Sequence, residues 1–188
     1  MENRVDLRIQ KTYHLLHHAF TELMEDRGFE DFTVGELCDR AMIRRATFYK
    51  HFPDKYAYFT FYMKEIFGTF HARLTPGMEA GNVNDYALLM CRELIRFVGR
   101  HQRFIQKAME ASVAPTTLTI LLELLHSEIH HALRNADRPG LTDAQLESQA
   151  YFFTGGVLSL LFRHLYSNTP IDEEEFISTV SAFLFSQP

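Results

Sequence analysis

Residues 33–55 read TVGELCDRAMIRRATFYKHFPDK, and this stretch decides how the N-terminal part of the chain folds. Thr33 with Glu36 three residues later is the capping-box pattern that begins a helix. The buried face of that helix is predicted to consist of Val34, Leu37, Cys38 and Ala41. A second short helix is predicted over 45–51. Only about three residues, 42–44, separate the two helices, which is the spacing of a helix-turn-helix.

The second of these helices carries the residue types that read DNA. When a helix lies in the major groove, the side chains of its first turn face the base edges, so polar and basic residues are expected there. Arg45 and Thr47 are therefore the predicted base contacts, with Arg44 beside them. The predicted DNA-contacting set also contains Thr33, Tyr49, Lys50, His51 and Lys55. Of these, Tyr49, His51 and Lys55 are expected to hold phosphates, the last at a helix N-terminus.

The charge distribution agrees with a nucleic-acid partner at one end of the chain. The formal net charge is −5, so the protein as a whole is not coated in basic surface. From residue 40 to residue 55, however, five basic side chains face one acid, whereas acids predominate after residue 60. A helix-turn-helix can also be a mere packing unit, and a basic run can be a solvated face. The coincidence of the helix spacing with the Thr-Phe-Tyr-x-His-Phe run and Lys55 favours DNA binding.

The same stretch resembles the DNA-binding region of the TetR family, which reads T-V-x-x-[IL]-x-x-x-A-G-V-S-x-G-T-F-Y-x-[YH]-F-x-x-K. The matching positions are Thr33, Val34, Leu37, Ala41, Ile43, Thr47, Phe48, Tyr49, His51, Phe52 and Lys55. The resemblance covers about residues 6–60 and is weaker around Gly155-Gly156 and the run to Pro170. The form RRATFY is similar to a subgroup that includes a dihydroxyacetone kinase operon activator.

Two departures from the family pattern concern the turn. Met42 replaces the usual glycine, so a left-handed backbone there would cost about 1 kcal/mol unless the turn differs. Arg44 replaces a small hydroxyl residue, which suggests a different operator. The resemblance implies a regulator with a C-terminal sensor body; most members repress, and the subgroup leaves activation open.

The rest of the chain shows helical periodicity and no strand alternation, so the predicted fold is all-α. An N-terminal three-helix DNA-binding domain, 1–54, precedes a helical effector-binding and dimerisation bundle, 55–188. Nine helices are predicted, over about 9–27, 33–41, 45–51, 54–74, 84–99, 102–112, 115–135, 142–167 and 172–188.

Two apolar stripes in the bundle are candidates for an effector pocket. Their members are Met63, Phe67, Phe70, Met90, Leu94 and Phe97. Such stripes more often form plain core, and most of these residues are expected to do so. The resemblance to a sensor family nevertheless implies a cavity in the body, and its lining predicts a small, largely apolar effector.

The predicted helix over 142–167 is apolar nearly all round between Tyr151 and Phe162. A helix without a polar face must be covered on every side, either within its own fold or by a partner. Because the pair Gly155-Gly156 permits a close approach of another backbone, a homodimer is favoured. The predicted interface consists of Phe152, Gly155, Gly156, Leu160, Phe176, Val180 and Phe183.

Other functions have weaker support. Glu123/His126 and Glu128/His131 have the Glu-x-x-His spacing of di-iron bundles, but both pairs lie on one helix instead of two facing helices. A helical-bundle metal-binding protein and a protein-interaction adaptor remain alternatives, while no metal site or cofactor is predicted. Without a nucleophile-base constellation, phosphate loop or dinucleotide motif, an enzyme is not expected.

The expected location is the cytoplasm, with double-stranded DNA as partner and no membrane association. The first ten residues lack an apolar run, and the apolar stretch 150–162 is shorter than the roughly 20 residues of a membrane span. Cys38 and Cys91 are isolated thiols among apolar neighbours, which is typical of buried cysteines in a reducing compartment.

Overall fold

The computed structural model describes residues 7–79, 83–135, 142–167 and 172–185. All regular secondary structure in these ranges is helical, which confirms the all-α prediction. The eight described helices are α1 (Leu7–Asp26), α2 (Val34–Arg40), α3 (Arg45–His51), α4 (Lys55–Glu79), α5 (Val83–Met109), α6 (Ala114–Asn135), α7 (Asp143–Tyr166) and α8 (Glu173–Phe185).

The chain divides into two compact units. Unit 1 consists of Met1–Glu65 and Arg103–Thr117, and unit 2 consists of Ile66–Gln102 and Leu118–Pro188. Unit 1 therefore holds the helix-turn-helix together with the first part of α4 and the last part of α5. Helices α4 and α5 each contribute residues to both units.

Two predicted breaks are corrected by the structure. The separate helices expected over 84–99 and 102–112 form the single helix α5, in which only His101 departs from helical geometry, with φ −111° and ψ 16°. Helix α4 was expected to end near Leu74, but its backbone stays helical to Glu79, through Pro76-Gly77. A proline removes one helical hydrogen bond and glycine adds flexibility, so the pair disfavours a helix without forbidding one.

The predicted helix ends are confirmed where their capping groups are described. Gly28 has φ +97°, and its N–H donates to the carbonyl of Met24 at 3.0 Å, as expected for the residue that ends α1. Thr142 and Gln145 form a complete capping box at α7. Asp172 accepts a hydrogen bond from the N–H of Glu175 at 2.9 Å, which caps α8.

Aromatic rings fill the interior of unit 1. Phe20 on α1 is fully buried and packs edge-to-face on Tyr58 of α4, with ring centroids 5.0 Å apart. Phe104 stacks on Phe59 at 6.3 Å and lies 6.1 Å from Phe20. These rings come from α1, α4 and α5, so they pack the three helices together in the core of unit 1.

Candidate nucleic-acid interface

Helix α2 begins and ends as the helix-turn-helix requires. Its N-cap Thr33 accepts a hydrogen bond from the N–H of Glu36 at 3.2 Å, and the Glu36 carboxylate accepts from the Thr33 N–H at 2.8 Å. At the other end, the N–H of Ile43 donates to the carbonyl of Cys38 at 2.9 Å. Met42 has φ 55°, so the turn keeps its left-handed residue although the glycine is missing. The Met42 side chain is 83% exposed and causes no crowding there.

Helix α3 is held by its apolar face. Phe48 is fully buried and Phe52 is 6% exposed. Both rings pack on Tyr58, with centroid distances of 5.8 Å and 4.9 Å. The other faces of this seven-residue helix are consequently left to present polar side chains.

The first turn of α3 carries the predicted base contacts. Arg44 is the N-cap residue, and both Arg44 and Arg45 are exposed, whereas Thr47 is half-buried. The Arg45 guanidinium lies directly on Gly35 of α2, where a Cβ would overlap it. Sequence reasoning missed this role of Gly35; a glycine inside a short helix, where it is unfavourable, was the available signal.

The predicted phosphate contacts near the end of α3 differ in their surroundings. Tyr49 is 55% exposed and Lys50 is exposed. His51 is half-buried, and its Nδ1 lies 3.4 Å from the hydroxyl of Tyr13 on α1. A hydroxyl that donates to Nδ1 leaves the proton of a neutral imidazole on Nε2, where it can be donated to a phosphate. Tyr13 is therefore a supporting residue that sequence reasoning did not identify.

Two members of the predicted set are already occupied within unit 1. The Thr33 hydroxyl takes part in the capping box. The Lys55 ammonium donates to the carbonyls of Phe29 and Phe32, at 2.5 Å and 2.6 Å, and lies over both rings. In this geometry the Lys55 ammonium points into the domain and ties the 27–33 connection to α4. A phosphate contact by Lys55 stays a prediction.

Electrostatics around Lys55 agree with an internal role. Partial burial lowers the pKa of the ammonium, and the carboxylates of Glu30, Asp31 and Glu36 oppose that shift. A lysine with two carbonyl acceptors and three carboxylates nearby is neutralised locally. It therefore adds little to the positive field that a phosphate would meet.

Most of the predicted dimer residues line an exposed apolar groove between α7 and α8. Its volume is about 300 Å³, and its lining comprises Phe152, Phe153, Gly156, Val157, Ser159, Leu160, Thr179, Val180 and Phe183. Phe152 is 76% exposed and Phe183 is 67% exposed, whereas Phe176 and Val180 are buried in unit 2. Gly155 is exposed, outside the groove lining. The structure thus brings five of the seven predicted residues together around one groove.

All six predicted pocket residues are buried, five of them in unit 2 and Met63 in unit 1. Phe97 contacts Phe67 and Phe70, with ring centroids 5.1 Å and 5.7 Å apart. Polar groups lie among the apolar side chains of the same unit. Glu128 is 1% exposed and accepts hydrogen bonds from Tyr86 and from His71. Sequence reasoning treated Glu128 only as a possible metal ligand.

Two histidines of α6 lie close to one carboxylate of α7. His126 and His130 place their Nε2 atoms 3.5 Å and 3.3 Å from the Glu147 carboxylate of α7. Throughout the described ranges, no group of three or more His, Cys, Asp or Glu residues is arranged to hold a metal ion. The described helices also include none that is long and apolar enough to cross a membrane.

Comparisons with known proteins agree with this geometry. Residues 16–59 match the family described as bacterial regulatory proteins, tetR family. No curated protein is significantly similar to the chain in sequence.

Several solved structures share the fold. The dihydroxyacetone kinase operon activator DhaS is 16% identical, with a TM-score of 0.72 over 92% of this chain and 93% of that one. The fatty acid degradation regulator FadR from Bacillus halodurans is 14% identical, with a TM-score of 0.72 over 94% of this chain and 100% of that one. Thermus thermophilus FadR, a transcriptional repressor solved with lauroyl-CoA, is 18% identical, with a TM-score of 0.66 over 92% of both chains.

The family match covers the second part of α1, all of α2 and α3 and the start of α4, and so includes the whole helix-turn-helix. Residues 16–59 therefore correspond to the DNA-binding region of the bacterial regulatory proteins of the tetR family.

Proposed function

We propose that the protein binds an inverted-repeat operator as a homodimer and represses transcription until a small, largely apolar effector lowers its affinity for DNA. The observation that carries this proposal is that α3 has a buried apolar face and an exposed basic face. Phe48 is fully buried while Arg44, Arg45, Tyr49 and Lys50 are exposed, so the helix is fixed on one side and basic on the other.

The proposed roles follow from position on α3. Arg45 and Thr47 read base edges, with Arg44 beside them, because they lie in the first turn. Tyr49, Lys50 and His51 hold phosphates, the last through Nε2. Thr33 supports the N-terminus of α2, and Lys55 keeps the 27–33 connection in place. To reach a base, the Arg45 guanidinium must leave Gly35, against which it rests in this structure.

The α7/α8 groove supports the homodimer. Two large aromatic side chains, Phe152 and Phe183, project from its sides, and Gly156 leaves room for a partner helix. A twofold axis would place the same groove on both protomers, as in most homodimers. Binding to successive major grooves then requires the two α3 helices to lie roughly 34 Å apart, or a whole number of helical turns further.

The interior of unit 2 supports effector binding. Aromatic and Met side chains line it, and the repressor from Thermus thermophilus with the same fold carries lauroyl-CoA. An effector that binds one of two conformations more tightly changes operator affinity by that difference, typically 1–3 kcal/mol. Repression is proposed because an operator-bound dimer blocks access to the DNA beneath it.

Selection of binding sites from random DNA tests the proposal. The expected product is an inverted repeat, and a template bearing it upstream of a promoter is expected to give less transcript when the protein is added. Enrichment of a single half-site, or no enrichment, would contradict dimeric operator binding. An increase in transcript would replace repression by activation.

The dimer is tested separately with two glycine variants. Gly156→Leu is expected to weaken association by at least tenfold in sedimentation experiments, because the new side chain fills the groove. Gly68→Leu is the control, since this helical glycine of α4 is also exposed with nothing within 4 Å of a Cβ. An unmodified protein that is monomeric at micromolar concentration would overturn this part of the proposal.

A further inference from the structure

Unit 2 is the acidic part of the chain, yet its arginines are not spread evenly. It contains seven Arg, no Lys and twelve Asp or Glu, and so accounts for the whole net charge of −5. Two of those arginines, Arg73 of α4 and Arg96 of α5, contact one carboxylate, and Arg100 lies one helical turn after Arg96 on α5. We call these three side chains the arginine cluster.

Glu93 is the carboxylate that two members of the arginine cluster share. Arg96 Nη1 donates to Glu93 Oε1 at 2.8 Å, and Arg73 Nη1 lies 3.3 Å from Glu93 Oε2. The Glu93 side chain is only 10% exposed, whereas Arg73 and Arg96 are 45% and 57% exposed. Glu93 therefore orients two guanidinium groups whose remaining donors are open to solvent.

Arg100 extends the positive charge by one helical turn. It is exposed, four residues after Arg96, and the next residue is the half-buried His101. Burial, followed by the charges of Arg100 and Arg73, lowers the pKa of His101. Among the contacts of the described residues, these three positive charges have one carboxylate partner, that of Glu93.

The arginine cluster adjoins the apolar interior of unit 2. The His101 ring lies on Phe97, with centroids 4.8 Å apart, and Phe97 contacts Phe67 and Phe70. His101 is also the residue at which α5 departs from helical geometry. Near His101, α5 therefore combines positive charge, an irregular backbone and a contact with an aromatic cluster.

We propose that the arginine cluster binds the anionic group of an effector whose apolar part enters beside Phe97. This inference rests on the proposed function, because it assigns a chemical class to the effector of unit 2. Guanidinium groups suit carboxylates and phosphates, which accept two parallel hydrogen bonds. A cationic ligand would instead meet like charge at this position, and a neutral one would not pair with the guanidinium charges.

Four ligands with the same twelve-carbon chain separate the contribution of the headgroup charge from that of the apolar chain. Dodecyl phosphate and dodecanoate carry the two anionic groups, dodecanol is neutral and dodecylammonium is cationic. Each is titrated below its micelle concentration into the full-length protein by calorimetry. We expect at least one anion to bind at least tenfold more tightly than dodecanol, and dodecylammonium to bind more weakly than either. The tighter anion identifies the headgroup.

Two variants test the residues. Arg100→Gln and Arg96→Gln are each expected to weaken binding of the preferred anion by about tenfold, with little change for dodecanol. Arg100→Gln is the more stringent variant, because Glu93 keeps both of its partners. Arg134→Gln on α6 removes the same charge from an exposed position and is expected to change nothing.

Equal binding of dodecanol and the anions, or an Arg100→Gln variant as tight as the unmodified protein, would overturn the inference. Absence of binding by all four ligands would overturn it as well. Operator affinity without ligand is measured on the same samples and is expected to be unchanged by Arg100→Gln. If the ligand tests contradict the inference while the protein still binds its operator, the DNA-binding proposal is unaffected.

Discussion

Unit 1 and unit 2 differ in what fills their interiors. The described core of unit 1 is joined by aromatic rings around Phe20 and Tyr58, whereas the described interior of unit 2 also encloses the carboxylates Glu93 and Glu128. Aromatic packing fixes a surface in one arrangement, while a buried carboxylate is stable only as long as its partners stay in place. The difference suits a unit that presents a constant surface to DNA and a unit whose interior responds to a ligand.

The largest expected effect tests the rigidity of unit 1. Phe48→Ala removes a fully buried ring beneath α3 and is expected to lower the free energy of unfolding by about 3–5 kcal/mol. Tyr49→Ala is the matched control, because the neighbouring ring is 55% exposed. Urea denaturation measures both. Equal losses in the two variants would show that α3 is not anchored as described.

A smaller loss of stability is expected at Lys55, where a charged side chain holds part of unit 1 together. Lys55→Met keeps the aliphatic stem but leaves the carbonyls of Phe29 and Phe32 without their donor. The expected loss of stability is about 1–3 kcal/mol. Lys64→Met, at an exposed position of α4, controls for the lost charge. If Lys55→Met is as stable as its control and instead reduces the salt dependence of DNA binding, Lys55 contacts phosphate after all.

The pH dependence of unit 1 gives a third test. Burial, with a contribution from His14, lowers the pKa of His17 from 6.5 to about 4, and its Nδ1 lies 3.0 Å from the Tyr58 hydroxyl. The unfolded chain binds this proton at higher pH than the folded one. Stability from neutral His17 is therefore present above pH 6.5 and is lost as the pH falls toward 4.

His17→Gln is expected to remove about 1–2 kcal/mol of this acid sensitivity, less than the full pKa shift because the ring is only partly buried. His18→Gln, on the exposed face of α1, is expected to leave the pH profile unchanged. Unfolding measured between pH 7 and pH 4 compares the three proteins. A parallel loss of stability in all of them would assign the acid sensitivity to other groups.

The smallest effect concerns the helix-turn-helix turn. Met42 is left-handed at φ 55° and its side chain is almost fully exposed, so Met42→Gly removes strain without removing packing. A gain of about 0.5–1 kcal/mol is expected. Met42→Ala keeps the strain and is expected to give no gain. A Met42→Gly variant less stable than the alanine variant would show that the methionine contributes contacts of its own.

Much of unit 1 followed from sequence because its signals are local. The capping box of Thr33 and Glu36 and the left-handed position at Met42 lie within a few residues of the elements they control. The inward turn of Lys55 was not predictable, since Phe29 and Phe32 offer backbone carbonyls that no residue type reveals. The contact between Arg45 and Gly35 likewise depends on how α2 and α3 cross.

Less of unit 2 was predictable. Periodicity located its helices, but α4 continues through Pro76-Gly77 and α5 continues past Gly99, because flanking helical residues outweigh a local helix breaker. The exposed aromatic residues of the α7/α8 groove followed from the absence of a polar face on the helix. Neither the burial of Glu128 nor the arginine cluster around Glu93 could be inferred, because both join residues of different helices.

The most direct test of the central claim is titration of the selected operator with Arg45→Ala, Lys50→Ala and the control Lys64→Ala at several salt concentrations. Arg45→Ala is expected to cost about 1–3 kcal/mol on the matched operator and less on one mismatched at the contacted base. Lys50→Ala is expected to weaken all sequences alike and to reduce the salt dependence, while Lys64→Ala binds as the unmodified protein does. Unchanged affinity in both α3 variants would contradict the assignment of α3 as the helix that reads DNA.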